Sequence, residues 1–377
     1  MKKLMICICF CMVLAGCGMQ NNVTSETSSV EPIVTEKETI LKDEPKATEQ
    51  VQKTKEALRI AIEGKEIILK NLIENEIVKT YKLNKKQCAN SVKEMGNGYC
   101  VRVIEANREL KDSLVDGVTI YDTPDESEIV NVSIKFFDKG LNEIDSIDIS
   151  KLAEEKKCED LLVTNFTVSR DGTLLAWDID ESILCYNRKT KEFSKYKQIY
   201  EKDIVADSIA FVGDDILAFC GTQGDMEEDT CYGYLDFSNK KLFSFIEKKF
   251  EAFSLNVDKR YMWLNDGENP EDGTASGKFI MVDTETGKNN IISVDNIEST
   301  KARITEEGKD IIAISQTEEK SFRVRQYSVE EGKVLNEKMY KYSESVHAND
   351  IVSIGNGRYA VIYGTDKGEK LEEIKLK

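Results

Sequence analysis

Short apolar runs alternate with polar turns over most of this chain. The clearest segment predicts strands over Leu161–Ser169, Thr173–Ile179, Ser182–Asn187 and Phe193–Ile199, with a turn at Arg170-Asp171-Gly172. Runs of this length that are rich in Val, Ile, Leu, Phe and Tyr and are bounded by Gly, Asp and Asn are typical of β-strands. Sustained helical periodicity is almost absent, so the pattern predicts an all-β chain.

This four-strand unit recurs along the chain. Its turn positions lie about 40 to 50 residues apart, at Gly172, Gly213, Asp258, Gly308 and Gly357. A four-stranded sheet cannot bury both of its apolar faces alone, whereas sheets packed face to face around a ring bury them and leave few free edges. The repeat therefore predicts a β-propeller of six or seven four-stranded blades, with seven favoured.

Two earlier segments contribute to this number. Gln87–Ser150 is long enough for a further blade with an insertion, and Leu58–Leu83 supplies three more short strands. These three strands form either a blade of their own or part of the last blade, which the C-terminus leaves without a fourth strand. The pattern of residues 57–377 resembles the YVTN-type and WD-repeat propellers of bacteria. Trp177-Asp178 looks like a WD dipeptide, but the Gly-His pair of WD repeats is missing, so the resemblance implies the fold and no functional residue.

The N-terminus has the pattern of a targeting segment. Lys2 and Lys3 precede an apolar run that is too short to span a bilayer, which needs about 20 residues. The following Leu14-Ala15-Gly16-Cys17 resembles the bacterial lipobox, which implies that Cys17 is lipidated and becomes the first mature residue. The protein is then expected on the extracytoplasmic side of the cell membrane, held by its lipid. The alternatives are an ordinary secretory signal with an incidental cysteine and a retained membrane helix.

The domain organisation follows from composition. Residues 1–16 are the expected signal peptide, residues 17–55 a lipidated cysteine and disordered linker, and residues 56–377 the propeller domain. The linker is rich in Thr, Ser, Glu, Lys and Gln and has few large apolar side chains, so it cannot bury a core. The net charge of −17 argues against nucleic acid as a partner, because Lys and Arg must neutralise its phosphates.

Six cysteines remain beyond Cys17, too few in so long a domain for a disulfide-built scaffold. Cys220 and Cys231 flank a short acidic loop at the ends of two predicted strands, which makes them a possible disulfide. No CxxC spacing occurs, and a single histidine makes a zinc site improbable. That histidine, His347, is expected to be a structural loop residue. No GxSxG elbow, glycine-rich phosphate loop or HExxH sequence is present.

Three long acidic inserts carry the functional prediction. Asn107–Glu128, Gly221–Thr230 and Asn265–Ser276 each fall between the second and third strands of a predicted blade, and such loops share one face of a propeller. The expected ligand-binding carboxylates are Asp122, Asp125, Glu126, Asp225, Glu227, Glu228, Asp229, Asp266, Glu268 and Asp272. We expect this face to bind a protein, peptide or surface polymer without catalysis.

Alternatives to this function remain at the level of sequence. Calcium prefers carboxylate and carbonyl oxygens, and Asp266 and Asp272 offer a possible site although their spacing is not that of an EF-hand. No other cofactor is expected. A carboxylate pair in the propeller mouth could also make the protein a cell-surface glycosidase or lyase. A third possibility is a structural member of an envelope assembly.

Overall fold

The computed structural model describes residues 58–74, 76–115, 118–223, 226–248, 250, 252–258, 260–266, 278–293, 301–305, 308–355, 357–366 and 368–375. Within them, antiparallel sheets succeed one another along the chain as the seven blades of a β-propeller. This confirms the predicted fold class and the favoured blade number.

Blades 2 to 6 have four strands each, and blades 1 and 7 have three strands each among the described residues. Blade 1 consists of β1 (Leu58–Glu63), β2 (Glu66–Asn71) and β3 (Glu76–Lys82), and blade 2 of β4 (Gln87–Met95), β5 (Gly98–Ala106), β8 (Ile129–Asp138) and β9 (Glu143–Asp148). Blade 3 consists of β10 (Phe166–Val168), β11 (Leu174–Asp178), β12 (Ile183–Asn187) and β13 (Glu192–Tyr196), blade 4 of β14 (Ile204–Val212), β15 (Ile216–Gln223), β16 (Met226–Asp236) and β17 (Lys241–Lys248), and blade 5 of β18 (Ala252–Asp258), β19 (Tyr261–Asp266), β20 (Lys278–Asp283) and β21 (Lys288–Ser293). Blade 6 consists of β22 (Lys301–Ile304), β23 (Asp310–Glu318), β24 (Ser321–Ser328) and β25 (Val334–Lys341), and blade 7 of β26 (His347–Gly355), β27 (Arg358–Thr365) and β28 (Gly368–Glu373).

Leu58–Leu83 therefore forms a blade of its own, because in the described part of the chain β1, β2 and β3 pair with one another and with no other strand. The small hairpin of β6 (Ser113–Val115) and β7 (Val118–Ile120) lies between β5 and β8, as the predicted insertion of blade 2. His347 is the first residue of β26 rather than a loop residue.

The core consists of apolar clusters between neighbouring blades. Side chains alternate across each strand, so that Cys100 and Ile104 of β5 pack towards blade 3 while Val101 and Val103 pack towards blade 1. A cluster of this kind fills each interface between successive blades, which explains why the strands read as nearly continuous apolar runs.

The seam between blade 7 and blade 1 is the smallest of these interfaces. Its described cluster has five buried side chains, of which only Leu72 belongs to blade 1, whereas each of the other clusters has at least ten. An ion pair between Arg59 and Glu369, at 3.6 Å, also crosses the seam. In the described residues no strand pairing closes the ring, so side-chain packing does.

The two ends of the ring differ in their connections. In blades 2 to 4 the turns between first and second strands lie together at one end, where the Gly96 N–H donates to the Arg170 carbonyl at 2.7 Å and the Arg170 N–H donates to the Gly213 carbonyl at 2.8 Å. We call this end the turn face. The opposite end, which carries the links between second and third strands of blades 2 to 6 and the links between blades, is the insert face.

Helical structure is confined to short segments of the described residues. The helix α1 (Ile149–Lys156) was not expected from sequence, and the Asp148 carboxylate caps it by accepting from the Lys151 N–H at 2.9 Å. Residues Glu159–Leu162 form a 3₁₀ turn where the sequence predicted the start of a strand. Among the described residues, no helix is both long enough and apolar enough to cross a bilayer.

Candidate binding site

The first acidic insert is an ordered structure built around Arg108. Its guanidinium donates to both oxygens of Asp122, at 2.7 and 3.0 Å, and its Nε donates to Glu128 at 2.6 Å. The Lys111 N–H donates to the same Asp122 carboxylate at 2.7 Å. The hydrogen bond from Arg108 lowers the pKa of Asp122 to about 2. Asp122, which was predicted to bind a ligand, thus already forms an ion pair with Arg108 inside the insert.

The insert is also fixed to blade 1. The Lys65 ammonium donates to the Leu110 carbonyl at 2.6 Å, and Leu110 itself is buried in the core between blades 2 and 3. The ring of Tyr121 covers Gly64, which has a φ of +59° and whose added Cβ would overlap that ring. Because of these contacts the insert is held in one position against the ring.

Two predicted carboxylates remain open to solvent at the outer side of this insert. Asp125 and Glu126 are exposed at the start of a 3₁₀ turn, Glu126–Glu128, and the Asp125 N–H donates to the Glu128 side chain at 3.1 Å. Neither side chain is paired with a cation among the described residues. A partner can therefore reach both carboxylates.

The second insert is a hairpin rather than a loop. β15 and β16 continue past the body of blade 4 up to the pair Gln223 and Met226, which places Glu227, Glu228 and Asp229 on β16. Asp229 lies opposite Lys248 of β17. Asp225 lies outside the described residues.

The predicted disulfide between Cys220 and Cys231 is wrong. Cys220 lies opposite Tyr232, and Cys231 lies opposite Gly221, so the two cysteines are offset by one residue and face opposite sides of the sheet. Cys220 packs against blade 5 and Cys231 against blade 3, and both are free thiols. Burial raises the pKa of Cys220 to about 12, as expected for a thiol in a core.

Most of the third insert lies outside the described residues, including Glu268 and Asp272. Asp266 is the last residue of β19, so this insert also joins the second and third strands of its blade. No group of three or more potential metal ligands occurs among the described residues. The calcium site predicted at Asp266 and Asp272 stays a prediction.

An acidic cluster at the insert face was missed from sequence. The Tyr200 hydroxyl donates to Asp178, at the end of β11, and Asp207 lies close enough to raise the pKa of Asp178 further. Burial is the main cause of the raised pKa of both Asp178 and Asp207. Asp207 occupies a bulge in β14, where the pairing shifts between Ala206 and Ser208. The sequence feature that could have pointed to this cluster is the WD-like dipeptide Trp177-Asp178, which contains one of its carboxylates.

Comparisons with known proteins support the fold alone. No protein family model matches the chain, and no curated protein matches it. Among solved structures, the chain is similar to Kuenenia stuttgartiensis hydrazine synthase, with 9% identity, a TM-score of 0.50, and coverage of 83% of this chain and 91% of that one. It is also similar to the β-propeller domain of the Trilobed protease from Pyrococcus furiosus, with 14% identity, a TM-score of 0.46, and coverage of 78% and 84%.

Proposed function

We propose that this protein is a lipid-anchored binding protein on the extracytoplasmic side of the cell membrane. Its propeller binds a protein, peptide or surface polymer through the insert face, and it does so without catalysis. The observation that carries this proposal is the placement of the three acidic inserts, each of which joins the second and third strands of its own blade. Connections of that type lie at one end of a propeller.

The chemistry of this face favours a cationic partner. Asp125 and Glu126 are exposed and have no cation partner among the described residues, while Arg108, one of the two cations of the first insert, is already bound to Asp122 and Glu128. The excess of carboxylates over free cations attracts positively charged groups and raises their rate of encounter. The rigid attachment of the insert to blade 1 limits the conformational entropy lost on binding.

The N-terminal pattern supports the location. The resemblance of Leu14-Ala15-Gly16-Cys17 to a lipobox implies a diacylglyceryl anchor at Cys17. Two acyl chains hold a protein on a bilayer far longer than one, because each buried methylene contributes about 0.8 kcal/mol. Residues 17–55 then link the anchor to the propeller.

Crosslinking on intact cells tests the face. A triple variant with Asp125→Asn, Glu126→Gln and Glu227→Gln removes three charges from the inserts. If each of the three carboxylates contributes about 0.2 to 1 kcal/mol to the binding free energy of a partner, the affinity for that partner, and with it the crosslinked yield at low partner concentration, falls about 3- to 150-fold.

The matched control removes three carboxylates elsewhere. Glu76→Gln, Glu192→Gln and Glu330→Gln change exposed side chains at the turn-face end of blades 1, 3 and 6. We expect the partner that crosslinks to the wild type to be retained by this control and lost from the insert variant. Equal yields from both variants would remove the insert face as the binding site.

The acidic cluster at the insert face favours a second candidate, a cell-surface glycosidase or lyase. Asp178 and Asp207 both have raised pKa values, as a general acid requires, and Tyr200 holds one of them by a hydrogen bond. Turnover of a cell-surface glycan that Asp178→Asn and Asp207→Asn each abolish would favour this candidate over simple binding.

A further inference from the structure

The turn face contains a cavity in the central channel, at the opposite end from the acidic inserts. It has a volume of about 300 Å³ and is lined by the innermost strands of six blades, 2 to 7. This volume is at the lower end of the range for small-molecule sites. The apolar part of its wall includes Val168, Phe211, Leu255 and Val257.

Two cations without partners lie on one wall of this cavity. Lys93, near the end of β4, is half-buried, and its ammonium has no hydrogen-bond or ion-pair partner among the described residues. Burial lowers its pKa. Arg170, in the first turn of blade 3, folds over Gly96 at the end of β4, and its guanidinium is likewise unpaired within the described part of the chain. The backbone hydrogen bond from Gly96 to Arg170 holds the end of β4, which carries Lys93, next to the first turn of blade 3.

Unpaired cations in a channel are unexpected in this protein. Its net charge is −17, so carboxylates are abundant, and most of the described arginines outside the cavity are bound to them. A partly buried ammonium without a partner destabilises the folded state, because it loses part of its hydration and gains no protein contact in exchange. An anionic ligand between Lys93 and Arg170 would supply the missing contact.

The far wall differs in character. Trp263 of β19 lines the cavity with 4% of its surface exposed, and its indole N–H is buried without a hydrogen-bond partner. Glu94 on β4 and two carboxylates from blades 5 and 7, Asp258 and Asp350, also line the cavity, and each of the three already has an interaction within the protein. The two cations and the Trp263 indole, which lack partners among the described residues, are all donors, and they favour a ligand rich in acceptor oxygens.

We propose that this cavity binds a small organic anion bearing one or two carboxylates, held by Lys93 and Arg170 and covered on its apolar side by the channel wall. A planar carboxylate matches the fork of a guanidinium, and a second carboxylate would place its charge at the ammonium. This site is independent of the insert face and of any partner bound there.

Thermal unfolding with defined anions tests the proposal. The probes are succinate, glutarate and inorganic phosphate, each compared with sodium chloride at the same ionic strength, and succinamide serves as the neutral analogue. A dicarboxylate at about 100 times its Kd should raise Tm by about 4 °C. Succinamide should have no effect.

Two cavity variants and one surface control identify the residues. Lys93→Met and Arg170→Gln should each abolish the shift, whereas Lys195→Met, on the exposed outer strand of blade 3, should retain it. Lys93→Met should also have a higher Tm than the wild type without ligand, because it removes a buried unpaired charge, so loss of the response cannot be attributed to unfolding.

Fluorescence gives a second readout at the cavity itself. The sequence has two tryptophans, and Trp177 is 1% exposed in the core between blades 2 and 3. In a Trp177→Phe background, dicarboxylate binding should change the emission of Trp263. The proposal is overturned if no dicarboxylate acts beyond the effect of ionic strength, if phosphate alone acts, or if Lys93→Met responds as the wild type does.

Discussion

The seam between blades 7 and 1 should be the place where the ring opens first. Leu72 is the sole buried side chain that blade 1 contributes to the described seam cluster, and it packs with Val352, Ile354, Ala360 and Ile362. Replacing a buried leucine with alanine lowers the free energy of unfolding by about 2 to 5 kcal/mol. Leu72 is 8% exposed and its cluster is small, so we expect the lower end, about 2 kcal/mol.

That loss should act on local opening of the ring. About 2 kcal/mol corresponds to a roughly 30-fold higher population of the open seam. Hydrogen exchange followed by mass spectrometry should then show about 30-fold faster exchange in β1–β3 and β26–β28 of the Leu72→Ala variant. Blades 3 to 5 should keep their wild-type protection, because opening of the seam leaves their interfaces intact.

Leu264→Ala is the matched control. Leu264 is fully buried in the cluster between blades 4 and 5, away from the seam. Its replacement should lower Tm more than Leu72→Ala does and should accelerate exchange in blades 4 and 5. If Leu72→Ala instead accelerated exchange evenly in all blades, or left the terminal blades unchanged, the seam would not be the weakest interface of the ring.

Three further predictions concern the anchor, an ion pair and the thiols. Cys17→Ser should release the protein from the membrane fraction and abolish incorporation of labelled palmitate. Asp122→Asn should lower Tm at neutral pH. Arg108 lowers the folded-state pKa of Asp122 to about 2 from an ordinary 3.8, so the ion pair stabilises the fold fully above pH 4 and no longer does so towards pH 2. The Tm difference between the wild type and Asp122→Asn should therefore become smaller as the pH falls from 4 to 2. Finally, thiol titration in denaturant should give the same number of thiols per chain with and without prior reduction, because Cys220 and Cys231 are free.

The blades could be predicted from sequence because their turns are chemically marked and their strands are short apolar runs. Errors arose where a local pattern was ambiguous. β14 begins at Ile204, and the bulge at Asp207 interrupts the alternation of its side chains. Leu161 is buried but belongs to a 3₁₀ turn, since a short apolar run fits either structure. Whether β1–β3 would form a separate blade depends on pairing with the other end of the chain, which no local pattern reports.

The sites were harder to predict because charge counts do not show which charges are paired. Asp122 counted as a free carboxylate in the sequence, although Arg108 and the Lys111 N–H bind it in the structure. Lys93 and Arg170 are unremarkable in sequence and belong to different blades. Packing of blade 2 against blade 3 brings them to one wall of the cavity, and neither has a partner among the described residues.

The distance between the two candidate sites has a consequence for how they act together. An innermost strand such as β4 extends for about 30 Å from the insert face to the turn face, at about 3.3 Å per residue. The Debye length at physiological salt is about 8 Å, so an anion at Lys93 has little direct effect on the potential at Asp125 and Glu126. Any coupling between an anion in the cavity and a partner on the inserts must therefore pass through movement of the blades, for which the small seam at Leu72 is the weakest point.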